Sequence, residues 1–140
     1  MPIAIGLLGR DGRDLIPTRV LELTESKQKF EITGIKEKPI LSLLRGFSAP
    51  VRVDFEQSVE ELAFLMAHDS DAVARWEATQ TLMIKTLLAR IAHSPSAGKL
   101  EESLLAALEP LLKDPFADPA FVSFMLQLPS EAYVAQFLTT

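Results

Sequence analysis

Near Ser58 the repeat of apolar residues changes from two to between three and four, and no other feature limits the possible folds as much. Before that point, Ile3, Ile5 and Leu7 alternate with Ala4 and Gly6, a second apolar stretch runs from Val20 to Leu23, and KFEIT (29–33) and VRVDF (51–55) alternate cleanly. Successive side chains of a strand point to opposite faces, so these stretches are expected strands with one buried side. Gly9-Arg10-Asp11-Gly12 reads as a hairpin turn whose glycines tolerate positive φ. It makes a poor phosphate loop, because strand-like sequence and Pro17 follow it and no helix aims its amides at an anion.

Beyond Ser58 the signals are helical. Ser58-Val59-Glu60-Glu61 is a capping box, and Val59, Leu62, Ala63 and Met66 then share one face. A second helix is expected from about 72 to 93, carrying Val73, Trp76, Met83, Leu87 and Ile91 on its apolar stripe. A third runs through Leu100, Leu104, Leu108 and Leu111, with Pro110 expected to kink or shorten it. Asp118-Pro119 opens a short helix through Phe121, Phe124, Met125 and Leu128, and Pro129-Ser130 starts a last one. Strands followed by helices make the class α+β in sequence order, with domains at 1–57 and 58–140.

Charge divides at the same place: +1 over residues 1–57 and −6 over 58–140, for a net −5. That balance argues against nucleic acid as a partner, since displacing counterions needs a basic surface. No stretch is apolar for the roughly 18 residues of a membrane span. With no cysteine, thiolate metal sites, disulfides and thiol nucleophiles are excluded. The N-terminus carries neither the basic nor the apolar region of a signal peptide, so the expected location is cytoplasmic.

The richest cluster of polar chemistry is HDSDAVARWEA (68–78). His68 and Asp71 have a metal-pair spacing, but the helix they would share only begins there and no second imidazole is near. A cap is simpler: Asp71 accepts the first free amides, Asp69 and Asp71 favour the positive helix end, and Arg75 lies one turn on. His68 has no nucleophile placed beside it, no Gly-x-Ser-x-Gly elbow occurs, and the Glu60-Glu61 and Glu101-Glu102 pairs diverge around their helices. None of these residues assembles a catalytic site.

SLLRGFSAPV (42–51), EELAFLMAHDSD (60–71) and RWEATQTL (75–82), in that order and spacing, closely resemble the bacterial aminopeptidase N family, the alanyl aminopeptidases among zinc metallopeptidases. PIAIGLLGRDGRDL (2–15) and VLELTESKQKFEITGI (20–35) are similar to the same region of that family. The resemblance is strong to about residue 92 and thins through the leucine-rich tail. It implies the later strands of a small Ig-like β-sandwich, followed by the first helices of an all-helical C-terminal domain. The family's zinc motif, His-Glu-x-x-His with a further glutamate, and its Gly-Ala-Met-Glu-Asn stretch are both absent here. No catalytic, metal or substrate-binding residue can therefore be carried over. The resemblance implies a non-catalytic segment of an enzyme that removes N-terminal residues from peptides, its zinc bound upstream and its partners the catalytic domain and the remaining helices.

The connection from the Gly9–Gly12 turn to Val20 is shorter than the family's, and the earlier sandwich strands are missing. An incomplete sandwich exposes an edge with unpaired backbone, so self-association is expected. Arg75, Trp76 and Glu77 are expected to meet the first helix and the Phe47-Ser48-Ala49-Pro50 segment, making Phe47, Pro50, Asp71, Arg75, Trp76 and Glu77 a structural interface. The alternative for Trp76 is packing among helices alone. The alternative function is a stand-alone helical adaptor that binds a peptide or protein partner.

Overall fold

The computed structural model describes residues 1–138. Strand β1 (Pro2–Leu8) lies between β2 (Arg19–Glu22) and β3 (Ile40–Leu43), antiparallel to both. Ile5 faces Arg19 on one side and Leu43 on the other. As the central strand, β1 is covered on both faces, and Ala4, Ile5, Leu7 and Leu8 are all buried. The hairpin is present but wider than a two-residue turn. Residues 9–18 connect the strands, with an isolated bridge between Leu8 and Asp14 holding the loop closed. Gly12 has φ +80° there, and a Cβ on it would meet the His68 ring at 2.7 Å.

Two expected strands do not form. Residues 29–33 belong to an irregular crossing from β2 to β3, and residues 51–55 lead to the helices without a ladder. Both alternate as a strand should, but alternation supplies only a face to bury; a ladder also needs a neighbouring strand, and neither stretch has one among the described residues.

The helices are α1 (Val59–His68), α2 (Ala72–Ile91), α3 (Ala97–Lys113), α4 (Pro119–Met125) and α5 (Glu131–Ala135). Both halves of the Ser58/Glu61 capping box are made. Asp71, Asp118 and Ser130 cap α2, α4 and α5 with their side chains. The second helix stops at Ile91, just before His93 turns into the left-handed region at φ 52°. Pro110 does not end α3, which continues to Lys113. Ala106, whose carbonyl the proline cannot bond, lies on the exposed flank where water can satisfy it.

One core joins the two halves. Leu8, at the end of β1, packs with Leu62, Leu65 and Met66 of α1, Ala78, Leu82 and Met83 of α2, and Leu108 of α3. Sheet and helices thus share buried apolar surface, which fixes the ground on which their polar contacts meet.

Candidate functional site: a polar junction between sheet and helices

After β3 the chain makes a tight 3-10 turn at Arg45–Phe47. Leu44 and Phe47 both have φ 54°, a region costing on the order of 1 kcal/mol for a residue with a Cβ. The turn folds the Arg45 side chain back over the sheet, where it is only 3% exposed. Gly6 of β1 makes room for it: a Cβ on Gly6 would stand 2.0 Å from the guanidinium carbon.

All five guanidinium N–H groups are used. Nε donates to Ser42 Oγ at 3.0 Å, and Nη1 donates to Asp14 Oδ2 and Thr18 Oγ1, each at 3.0 Å. Nη2 donates to Asp14 Oδ1 at 2.7 Å and to Asp69 Oδ1 at 3.0 Å. The fork on Asp14 is bidentate, the geometry for which arginine is suited and lysine is not. Burial works against the Arg45 charge, but the Asp14 hydrogen bond and the charges of Asp69, Asp14 and Asp71 outweigh it and raise its pKa. On the other side, the hydrogen bond from Arg45 holds the Asp14 carboxyl below the usual carboxylate range, against a smaller opposing effect of burial and with help from Ser70.

The α1–α2 loop closes the junction from the helical side. Asp69 is fully buried; its Oδ1 also accepts the Asp71 amide, while Oδ2 is the one buried side-chain polar atom without a hydrogen bond among the described residues. Ser70 donates its hydroxyl to Asp14 at 2.8 Å. Asp71 divides its carboxylate: Oδ1 caps Ala74 in α2, and Oδ2 accepts the Gly46 amide in the 3-10 turn. Three consecutive residues of the helical half are therefore bonded to groups of the sheet half.

The six residues expected to form an interface are distributed around this centre. Asp71 lies in it. Arg75 donates Nε to the Met66 carbonyl of α1 and passes over the Phe121 ring, 5.2 Å from its centroid. Burial lowers its pKa, opposed by Asp69 and Asp114. Trp76 stacks on Phe124 of α4 with centroids 5.3 Å apart, half-buried, a packing among helices. Trp76 follows Arg75 by one residue, about 100° around α2, on the side where α4 packs. Phe47, Pro50 and Glu77 line a groove of about 870 Å³ between residues 50–57, α2 and α5. Desolvation raises the pKa of Glu77 there.

Arg45, Asp14 and Gly6 are not singled out by the sequence, and Asp69 is read there only as a carboxylate at a helix start. One signal was available: a charged residue between Leu44 and Gly46 in an otherwise apolar run has to be bonded if it is buried. Its partners could not be read, because Asp69 and Asp14 are 24 and 31 residues away.

The arrangement defines a small Ig-like sheet domain bonded edge-on to the start of a helical array. The chain belongs to the DUF3458 family: residues 1–56 match its Ig-like domain and residues 59–140 its C-terminal domain of ARM repeats, both described as domains of unknown function. It is similar to Aminopeptidase N of Caulobacter vibrioides, 42% identical over 94% of this chain and 15% of that protein. Aminopeptidase N of Escherichia coli is 30% identical over 97% of this chain and 17% of its own length. The crystal structure of Legionella pneumophila aminopeptidase A in complex with aspartic acid superposes with a TM-score of 0.83 at 28% identity, covering 97% of this chain and 16% of that one. The chain thus spans about a sixth of these relatives. Its resemblance to part of aminopeptidase N, and the Ig-like then helical architecture expected from it, are both seen.

Among the described residues, no group of three or more His, Cys, Asp or Glu side chains is placed to hold a metal ion. The donor set of these residues does not fit a zinc site. No helix of the described residues is long and apolar enough to cross a membrane.

Proposed function

We propose that this chain is a non-catalytic, structural segment of an aminopeptidase N-type zinc peptidase, fastening the Ig-like domain to the helical domain. On this reading the removal of N-terminal residues by metal-activated water takes place upstream, in a catalytic domain that this segment helps to position in the cytoplasm. The remaining helical repeats would be its other partner. The observation that supports it best is the Arg45 junction, in which every guanidinium hydrogen bonds across or within the joint and Asp69-Ser70-Asp71 bond back to the sheet half. A group so fully bonded has no lone pair or proton to offer a substrate, whereas it sets the angle between two domains.

The reading is tested by unfolding Arg45→Met and following the sheet and the helices by separate probes. Coincident transitions in the unaltered chain, and separated ones in the variant, are expected. Coincident transitions with an unshifted midpoint in Arg45→Met would overturn the fastening role. Metal analysis of the purified chain tests the non-catalytic part: stoichiometric zinc, with release of alanine from an alanyl anilide, would overturn it.

A further inference from the structure

We propose that residues 51–55 are the docking edge for a second copy of this chain, paired antiparallel about a two-fold axis at Val53. The stretch alternates Val51, Val53 and Phe55 with Arg52, Asp54 and Glu56, yet it lies in no sheet. Its three apolar residues are 37%, 43% and 49% exposed. No main-chain group of residues 52–56 is hydrogen-bonded to another described residue; the nearest such bonds run from Val51 to Ala49 and from Lys85 to Gln57. An alternating, exposed segment whose main-chain groups are free is a template for strand addition.

The identity of the occupant follows from charge. With Val53 opposite Val53, Arg52 faces Asp54 of the second copy and Asp54 faces its Arg52, while Val51 faces Phe55 on the same side as the valine pair. Both ion pairs and the apolar row are then satisfied at once by one chain meeting itself, as an isologous interface requires. Shifting the axis to Asp54 sets two aspartates opposite each other, so the sequence selects one register. Neither Arg52 nor Asp54 has a salt-bridge partner among the described residues; Arg52 rests only over the Phe137 ring, 4.7 Å from its centroid. This pairing does not depend on the fastening role of Arg45, and abolishing it leaves the unfolding of Arg45→Met as it was.

Sedimentation velocity over a concentration series tests it. The unaltered chain is expected to pass from monomer to dimer. Arg52→Asp should weaken the dimer at least about tenfold, and adding Asp54→Arg to it should restore the dimer, since swapped charges pair again. Because the chain has no cysteine, Val53→Cys supplies a single thiol. Oxidation should join two copies of it, opposite residues on paired strands being about 4.5–5.5 Å apart at Cα, within disulfide reach. Leu105→Cys, on the exposed face of α3, should give no covalent dimer under the same oxidation. A monomer at every concentration overturns the proposal. So does a dimer that ignores both charge changes, or one that Leu112→Ser dissolves and Arg52→Asp does not, which would place the contact on α3.

Discussion

Besides the apolar core they share, sheet and helices are joined by a peptide linker and by a polar junction, and these two connections differ in kind. The covalent one, residues 51–57, lies in no helix or strand, is exposed over residues 51–56 and is nearly without hydrogen bonds of its own. The non-covalent one brings Asp69, Ser70 and Asp71 onto Asp14, Arg45 and Gly46, with both ends of its central ion pair almost free of solvent. Orientation between the halves is therefore set by contacts distant in sequence, while the peptide that links them only limits how far they can separate. This division suits the fastening role proposed above: an angle held by a buried arginine is fixed in direction as well as distance, because the guanidinium fork is planar and its five donors are all committed.

The strongest way to break the contrast is Arg45→Met, which keeps much of the volume but leaves Asp69 charged and unpaired. Removing one partner of a buried pair costs about 3–5 kcal/mol, so a large fall in thermal midpoint is expected at neutral pH. A loss under about 1 kcal/mol would make the junction no stronger than an exposed pair such as Arg90–Glu101. Gly6→Ala probes the same joint without touching a charge. Its new methyl would occupy the guanidinium position, and overpacking of this kind costs about 1–3 kcal/mol, read by chemical denaturation.

Asp14→Asn sharpens the comparison through pH. The folded Asp14 pKa lies below its ordinary value of 3.8, so its carboxylate contributes stability above that value and loses it as the pH falls through the folded pKa. At pH 7 the variant should be less stable by about 1–2 kcal/mol, allowing for the partial exposure of the carboxylate. Below about pH 3.8 the gap between variant and unaltered chain should begin to narrow, because the unfolded chain then takes up a proton at Asp14, and it should close only below the lowered folded pKa, where both carry a neutral side chain. A gap that is constant from pH 7 to pH 3 would mean that Asp14 acts by shape and not by charge.

The parts legible from sequence are the local ones. The caps at Ser58, Asp71, Asp118 and Ser130 depend on residues within a turn of each other, and each was found from its neighbours. Strands at 29–33 and 51–55 were misread for the opposite reason: period two says which side chains share a face, and is silent on whether a partner strand exists. Asp71 was read as a cap, and it is one, but only one of its oxygens serves α2; the other holds Gly46, 25 residues back. The expected stripe of α2 through Val73, Trp76, Met83, Leu87 and Ile91 shares only Met83 with the helix's core face, which runs through Ala78, Leu82 and Met83, and the Trp76 ring stacks on Phe124 of α4.

The smallest effect is expected in the covalent connection itself. Arg52→Ser removes the guanidinium from over Phe137, an exposed contact between the linker and the segment after α5. Cation–π contacts at exposed positions contribute about 0.5–1 kcal/mol, and residues 52–56 have no backbone bonds to other described residues through which to transmit the loss. Measured at low protein concentration, so that any pairing through residues 51–55 is dissociated, the midpoint should move little and both halves should still melt together. If Arg52→Ser separated the two transitions as Arg45→Met is expected to, the linker would be holding the angle after all, and the asymmetry between the two connections would disappear.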